Sequence, residues 1–161
     1  MRWQAVVGVV LLLGGCGRGA ETTGGGSASV ACEPVGGGGG TEVPVTLDEW
    51  SVTPATATTP AGTVTFLADN VGDEPHELVV VEADDVASLP VDASGALDEA
   101  ALEEGALVGE IEAFPAGERC PGTFQLSAGS YVLLCNLVEE ENGEVESHLA
   151  LGMHSPLEVT E

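Results

Sequence analysis

At 161 residues the chain has room for one domain with a proper core and, once its ends are discounted, not for two. Its formal charge is −24, with no lysine and only Arg2, Arg18 and Arg119 set against 27 acids, which excludes nucleic acid as an expected partner because such a surface repels phosphate. The same acidity suits a cationic metal or a basic protein drawn in by long-range steering, and equally suits plain solubility or adaptation to salt.

Residues 1–15 carry one early positive charge at Arg2, an apolar run from Ala5 to Leu13 and small residues before Cys16, the pattern of a secretory signal too short to span a bilayer. Leu13-Gly14-Gly15-Cys16 resembles the bacterial lipobox, which implies cleavage before Cys16 and acylation of its sulfur and amine; an ordinary signal peptide that contains a cysteine is the alternative. The chain is therefore expected to be exported and lipid-anchored to the cell membrane. Residues 16–41 are rich in Gly, Ser, Thr and Ala, include the run Gly36 to Gly40, and show no apolar periodicity. They read as a flexible tether of about 25 residues, which reaches roughly 25 to 30 Å as a coil. Cys32 is the one residue there that flexibility does not explain.

The domain is expected over residues 42–161. Glu42 to Pro54 alternates through Val43, Val45 and Leu47 and then shifts phase at Trp50 and Val52, which predicts one strand with a bulge. Thr63 to Val71 and His76 to Glu82 read as a hairpin-like pair across a turn-rich loop, with His76 at a strand mouth. Asp84 to Gly105 breaks the strand rhythm. Its DEAALEEG segment has acids first and Gly105 last, predicting a short helix in an insert packed on one edge. Strands resume at Ala106 to Ala113, Gly122 to Leu126, Tyr131 to Leu137 and Ser155 to Thr160, with Trp50, Phe66 and Tyr131 as core. Seven or eight short strands with regular turns predict an all-β fold, an antiparallel Greek-key β-sandwich with a short helical insert.

Within Tyr131 to Pro156 the chain gathers a thiol, two imidazoles and a thioether: Cys135 at the end of a buried apolar run, then His148, Met153 and His154. A soft thiolate with imidazoles and a weak thioether suits copper cycling between Cu(I) and Cu(II), whereas structural zinc prefers four closed Cys or His ligands.

Four phrases give the domain a resemblance to the cupredoxins, the plastocyanin and azurin type of blue-copper domain: LDEWSVTP, AGTVTFLADNVGDEPHELVVV, LSAGSYVLLCN and HLALGMHSPLEV. The resemblance covers most of residues 42–161. It maps the family's first ligand turn onto Asn70, Gly72, His76 and Glu77, and its second onto Cys135, Asn136, His148, Gly152 and Met153. It implies one copper held by His76, Cys135, His148 and Met153, with His154 outside the register. The departure from the family lies between Cys135 and His148, where VEEENGEVES replaces a short Pro-Gly linker. Either an acidic hairpin about Asn142-Gly143, spanning 139–146, has been inserted and His148 keeps its role, or Glu140 at the usual spacing replaces it. The ligand role implied for Cys135, with lipidation of Cys16, leaves Cys32 and Cys120 to pair. A Cys120 to Cys135 disulfide, across the Ser127 to Gly129 turn, is the rival.

The function implied is a lipid-anchored one-electron carrier with redox protein partners, basic ones if the acids steer them. A surface copper chaperone or scavenger using the same ligands, and a metal-free interaction module, are the alternatives. No catalytic constellation is visible in the sequence, so an enzyme is not expected.

Overall fold

A computed structural model describes residues 31–141 and 143–161. The segment expected to be a signal, Cys16 with its expected lipidation, the part of the expected tether up to residue 30, and Asn142 lie outside the described residues.

The alternation near the start of the domain forms β1 (Thr41–Asp48), in which Val43, Val45 and Leu47 are buried while their neighbours face solvent. It does not continue through a bulge. The chain reverses at Glu49 and Trp50, where the peptide bond is cis, and β2 (Ser51–Pro54) pairs antiparallel with β1, setting Val52 opposite Leu47. The phase shift at Trp50 is thus a turn, and the reversal puts both apolar residues on the core side. The remaining elements are β3 (Thr58–Pro60), β4 (Gly62–Asn70), β5 (His76–Glu82), β6 (Leu107–Phe114), β7 (Arg119–Leu126), β8 (Gly129–Leu134), β9 (Val138–Glu141), β10 (Glu144–Ser147), the single-turn helix α1 (His148–Leu151) and β11 (His154–Thr160).

Two sheets pack face to face, one in the order β2-β1-β4-β7 and the other β3-β11-β8-β5-β6, with β9 and β10 forming a separate hairpin. β1 runs parallel to β4, and β3 to β11, while the other pairings are antiparallel. β4 and β5 do not form the expected hairpin-like pair, and β7 and β8 do not pair across the Ser127 to Gly129 turn, because each couple divides between opposite sheets. Crossing from sheet to sheet covers both inner faces at once, the sandwich solution, and it puts Cys120 away from Cys135. Val43, Val45, Leu47, Phe66, Leu78, Ile111, Phe114, Leu133 and Leu157 fill the space between the sheets, each at most 1% exposed.

A continuous run of buried residues in β5 shows where the insert goes. Leu78 and Val80 face the core between the sheets, while Val79 and Val81 face outward onto Leu89 and Leu97 of the insert, with Val132, Leu134 and Leu149. The insert therefore covers a face of the five-stranded sheet rather than its edge, and a strand buried on both faces loses its polar alternation. Within it, the helix expected from Asp98 to Gly105 shrinks to a 3-10 turn at Glu99–Ala101, matched by another at Val86–Ser88. Asp98 makes no side-chain capping bond, and so short a segment does not overcome the cost of helix nucleation.

The end of the glycine-rich stretch lies along β7. Cys32 is disulfide-bonded to Cys120, the Val35 N–H donates to the Pro121 carbonyl at 3.1 Å, and the Thr123 N–H donates back to Val35 at 2.9 Å. Gly36 and Gly40 have φ of 73° and 75°, and a Cβ on either would collide with Thr123 or Thr63. Those two glycines are needed for close approach to the domain.

Candidate metal centre

The site is built at one end of the sandwich from a loop of each sequence half. Asn70, fully buried at the end of β4, shapes the first. Its Nδ2 donates to the carbonyls of Glu74 at 2.8 Å and Phe114 at 3.2 Å, and its Oδ1 accepts the Gly72 N–H at 3.1 Å. The turn so fixed delivers His76, 0% exposed, as the first residue of β5.

The second loop begins where β8 ends. Cys135 is free and fully buried, and its N–H donates to the Met153 carbonyl at 3.0 Å. The β9–β10 hairpin then leaves and returns, paired from Glu144 opposite Glu141 to Ser147 opposite Val138, and the His148 N–H donates to the Leu137 carbonyl at 3.0 Å. The long spacing between Cys135 and His148 is therefore an excursion that closes on itself. Ser147 caps α1 by accepting the Ala150 N–H, and Gly152, at φ 115°, ends the helix in the left-handed region. The Met153 N–H then donates to the His148 carbonyl at 3.0 Å, so the His-x-x-x-Gly-Met register is one capped helical turn that returns Met153 to its starting point.

These loops bring together three of the residues expected from the sequence. Ligand atoms of His76, Cys135 and His148 all lie within 4.8 Å of one another, and all three side chains are buried. The Cys135 Sγ to His148 Nδ1 distance is 3.3 Å. Met153 is fully buried and adjoins Cys135 through its carbonyl. Glu140 is exposed on the hairpin opposite Val145, away from this cluster. His154 lies on β11 opposite Leu134. Cys120 belongs to the other sheet, beside Ala68, which removes the rival disulfide with Cys135.

The electrostatics favour neutral donors. Burial pushes His148 down to about 4, helped by repulsion from His76, and burial also lowers His76 despite the nearby Glu49 carboxylate. Both imidazoles are therefore uncharged at neutral pH. Burial pushes the Cys135 thiol up to about 12, while the N–H groups of Glu77 and Leu137 directed at it pull the other way. A thiol held protonated in this way is ionised only by a metal that compensates the buried charge. Glu77 is itself pushed up to about 7 by burial, opposed by the N–H it accepts from Asn136 at 2.9 Å.

Two residues at the site were not expected there. Glu49, in the β1–β2 turn, places Oε1 3.1 Å from His76 Nε2. Trp50 was expected in the core; it packs partly against the core and sets its ring edge-on to His148, centroids 4.9 Å apart. The His148 Nε2 edge faces the Glu74 carboxylate at 3.9 Å, with Glu139 in the same cluster. The phrase LDEWSVTP contained both missed residues, but only its location in the fold shows that they reach the ligands.

Solved structures similar to the chain include two auracyanins. A dithionite-reduced auracyanin from the photosynthetic bacterium Roseiflexus castenholzii superposes with a TM-score of 0.55 at 21% identity, covering 77% of this chain and 100% of its own. Auracyanin B gives a TM-score of 0.55 at 22% identity, covering 84% and 100%. The fold is that of the cupredoxins. No protein-family model and no curated protein matches the sequence.

Proposed function

We propose that this chain is a type 1 copper protein and one-electron carrier, exported and held by a lipid on Cys16 at the outer face of the cell membrane. The observation that carries the reading is the buried convergence of two neutral imidazoles and one thiol within 4.8 Å. The donors fit copper: His76 Nδ1 is buried without a hydrogen-bond partner, an orphaned lone pair that a soft metal beside Cys135 would satisfy. His76, Cys135 and His148 would hold the ion, with Met153 as the weak fourth donor. Bound there, copper supplies a Cu(II)/Cu(I) couple. The sandwich fixes the donors from beneath, and burial shields them from water, so the same arrangement serves both oxidation states with little movement. The redox partners are proteins, and the shortage of cations on this chain favours basic ones.

A copper titration tests the reading: Cu(II) added to reduced protein is expected to give one intense visible sulfur-to-copper band at one equivalent. Reversible cycling at a stable potential separates a carrier from a scavenger, and a colourless protein overturns both. Met153→Leu is expected to keep copper bound but raise the potential, because losing a weak thioether donor would destabilise Cu(II) more than Cu(I). A tenfold change in their affinity ratio corresponds to about 59 mV. An unchanged potential by voltammetry removes Met153 from the set of donors.

A further inference from the structure

We infer that Glu49 is an anionic positioning residue for His76, fixing which ring nitrogen faces the metal and biasing the site toward Cu(II). The inference rests on the copper reading above and concerns a residue outside its ligand set.

The geometry makes one assignment for the ring. Glu49 Oε1 has an acceptor's surroundings, taking the N–H groups of Asp73 and Glu74 at 3.0 Å each in addition to its contact with His76 Nε2 at 3.1 Å. Two backbone N–H groups donated to one oxygen are the surroundings of an ionised carboxylate, which accepts on every side. An ionised carboxylate cannot donate, so the proton of the neutral imidazole lies on Nε2. His76 Nδ1, buried and otherwise without a hydrogen-bond partner, is left as the bare lone pair.

The carboxylate is held in place rather than passing by. Its cradle is the 71–75 turn, and a Cβ at Gly72 would collide with it, so that position must remain open for Glu49. Glu49 is 27 residues before His76 and reaches it only because the β1–β2 reversal carries it to the same end of the sandwich. A carboxylate behind a ligating imidazole locks the tautomer and makes the ring a stronger donor. Stronger donation and a fixed negative charge both favour the more highly charged copper ion.

Glu49→Gln separates this role from simple stapling of the turn, because the amide keeps an oxygen to accept the Asp73 and Glu74 N–H groups while losing the charge. Copper-loaded wild type and Glu49→Gln are compared by voltammetry and visible absorption. The expected result is a retained band with the Cu(II) to Cu(I) affinity ratio lowered at least tenfold, a rise of about 59 mV or more. A retained band with an unchanged potential overturns the electrostatic role. A second arm needs neither copper nor a variant: nitrogen NMR of the copper-free wild-type protein is expected to show His76 as the Nε2–H tautomer, and an Nδ1–H tautomer overturns the positioning role. Failure of wild type to take up copper would remove the copper reading, with the NMR arm still deciding the role of Glu49.

Discussion

Cys135→Ser is expected to abolish the intense visible band completely while leaving a folded domain. The band requires a sulfur-to-copper charge transfer, and a serine oxygen has neither the soft, high-lying electrons nor an accessible ionised form. Two imidazoles and a thioether remain, so weak, pale Cu(II) binding is the expected residue of the site. Folding should survive because the substitution nearly conserves volume, and the N–H groups of Glu77 and Leu137 that face the sulfur can donate to the hydroxyl oxygen. The hydroxyl therefore avoids most of the roughly 1–3 kcal/mol that an unpaired buried polar group costs. Copper titration followed by absorption, with circular dichroism as the check on folding, reads both halves. A variant that keeps the wild-type band would show that another donor makes it and that the Cys135 cluster is not the metal site.

Much of the site was legible because its residues are chemically rare in this chain. With three histidines, two methionines and four cysteines in the whole sequence, the register of His148, Gly152 and Met153 stood out, and the fold explains it as one capped turn from Ser147 to Gly152. Glu49 was not legible for the opposite reason. It is one of 27 acids, and nothing in its local sequence distinguishes a carboxylate that meets an imidazole from one that meets water. The β1–β2 reversal was hidden because its turn contains Glu49 and Trp50 rather than the Gly, Asn or Pro that usually mark a change of direction. The insert presents a different limit. The unbroken Val79, Val80 and Val81 run requires cover on both faces of β5, but the run does not say which segment provides it, and that assignment needs Leu89 and Leu97 in place.

Removing the Cys32–Cys120 bond, as Cys32→Ser with Cys120→Ala, is expected to destabilise the domain by about 4–5 kcal/mol and leave the copper spectrum unchanged. The bond spans 88 residues, and closing a loop of that length in the unfolded chain accounts for an effect of about this size. In a domain of this size that corresponds to a fall of roughly 15 °C in Tm. The loss should not spread to the ligands. Cys120 is on β7, paired with Ala68 of β4 in the four-stranded sheet, whereas His76 opens β5 and Cys135 follows β8 in the other sheet. Native links that remain would still hold residues 32–40 along β7, namely the Val35 bonds to Pro121 and Thr123 and the Gly38 N–H donated to Thr123 Oγ1 at 3.1 Å. They connect the same segment to the same strand but cannot restrict the unfolded chain, so the stability should fall although the folded segment stays attached. Thermal unfolding of the copper-free proteins measures the first half, and absorption after copper loading measures the second. A Tm within a few degrees of wild type would show that the unfolded chain gains little freedom when the bond is lost, while a bleached site would mean that the two sheets are coupled through the core more tightly than their separate ladders suggest.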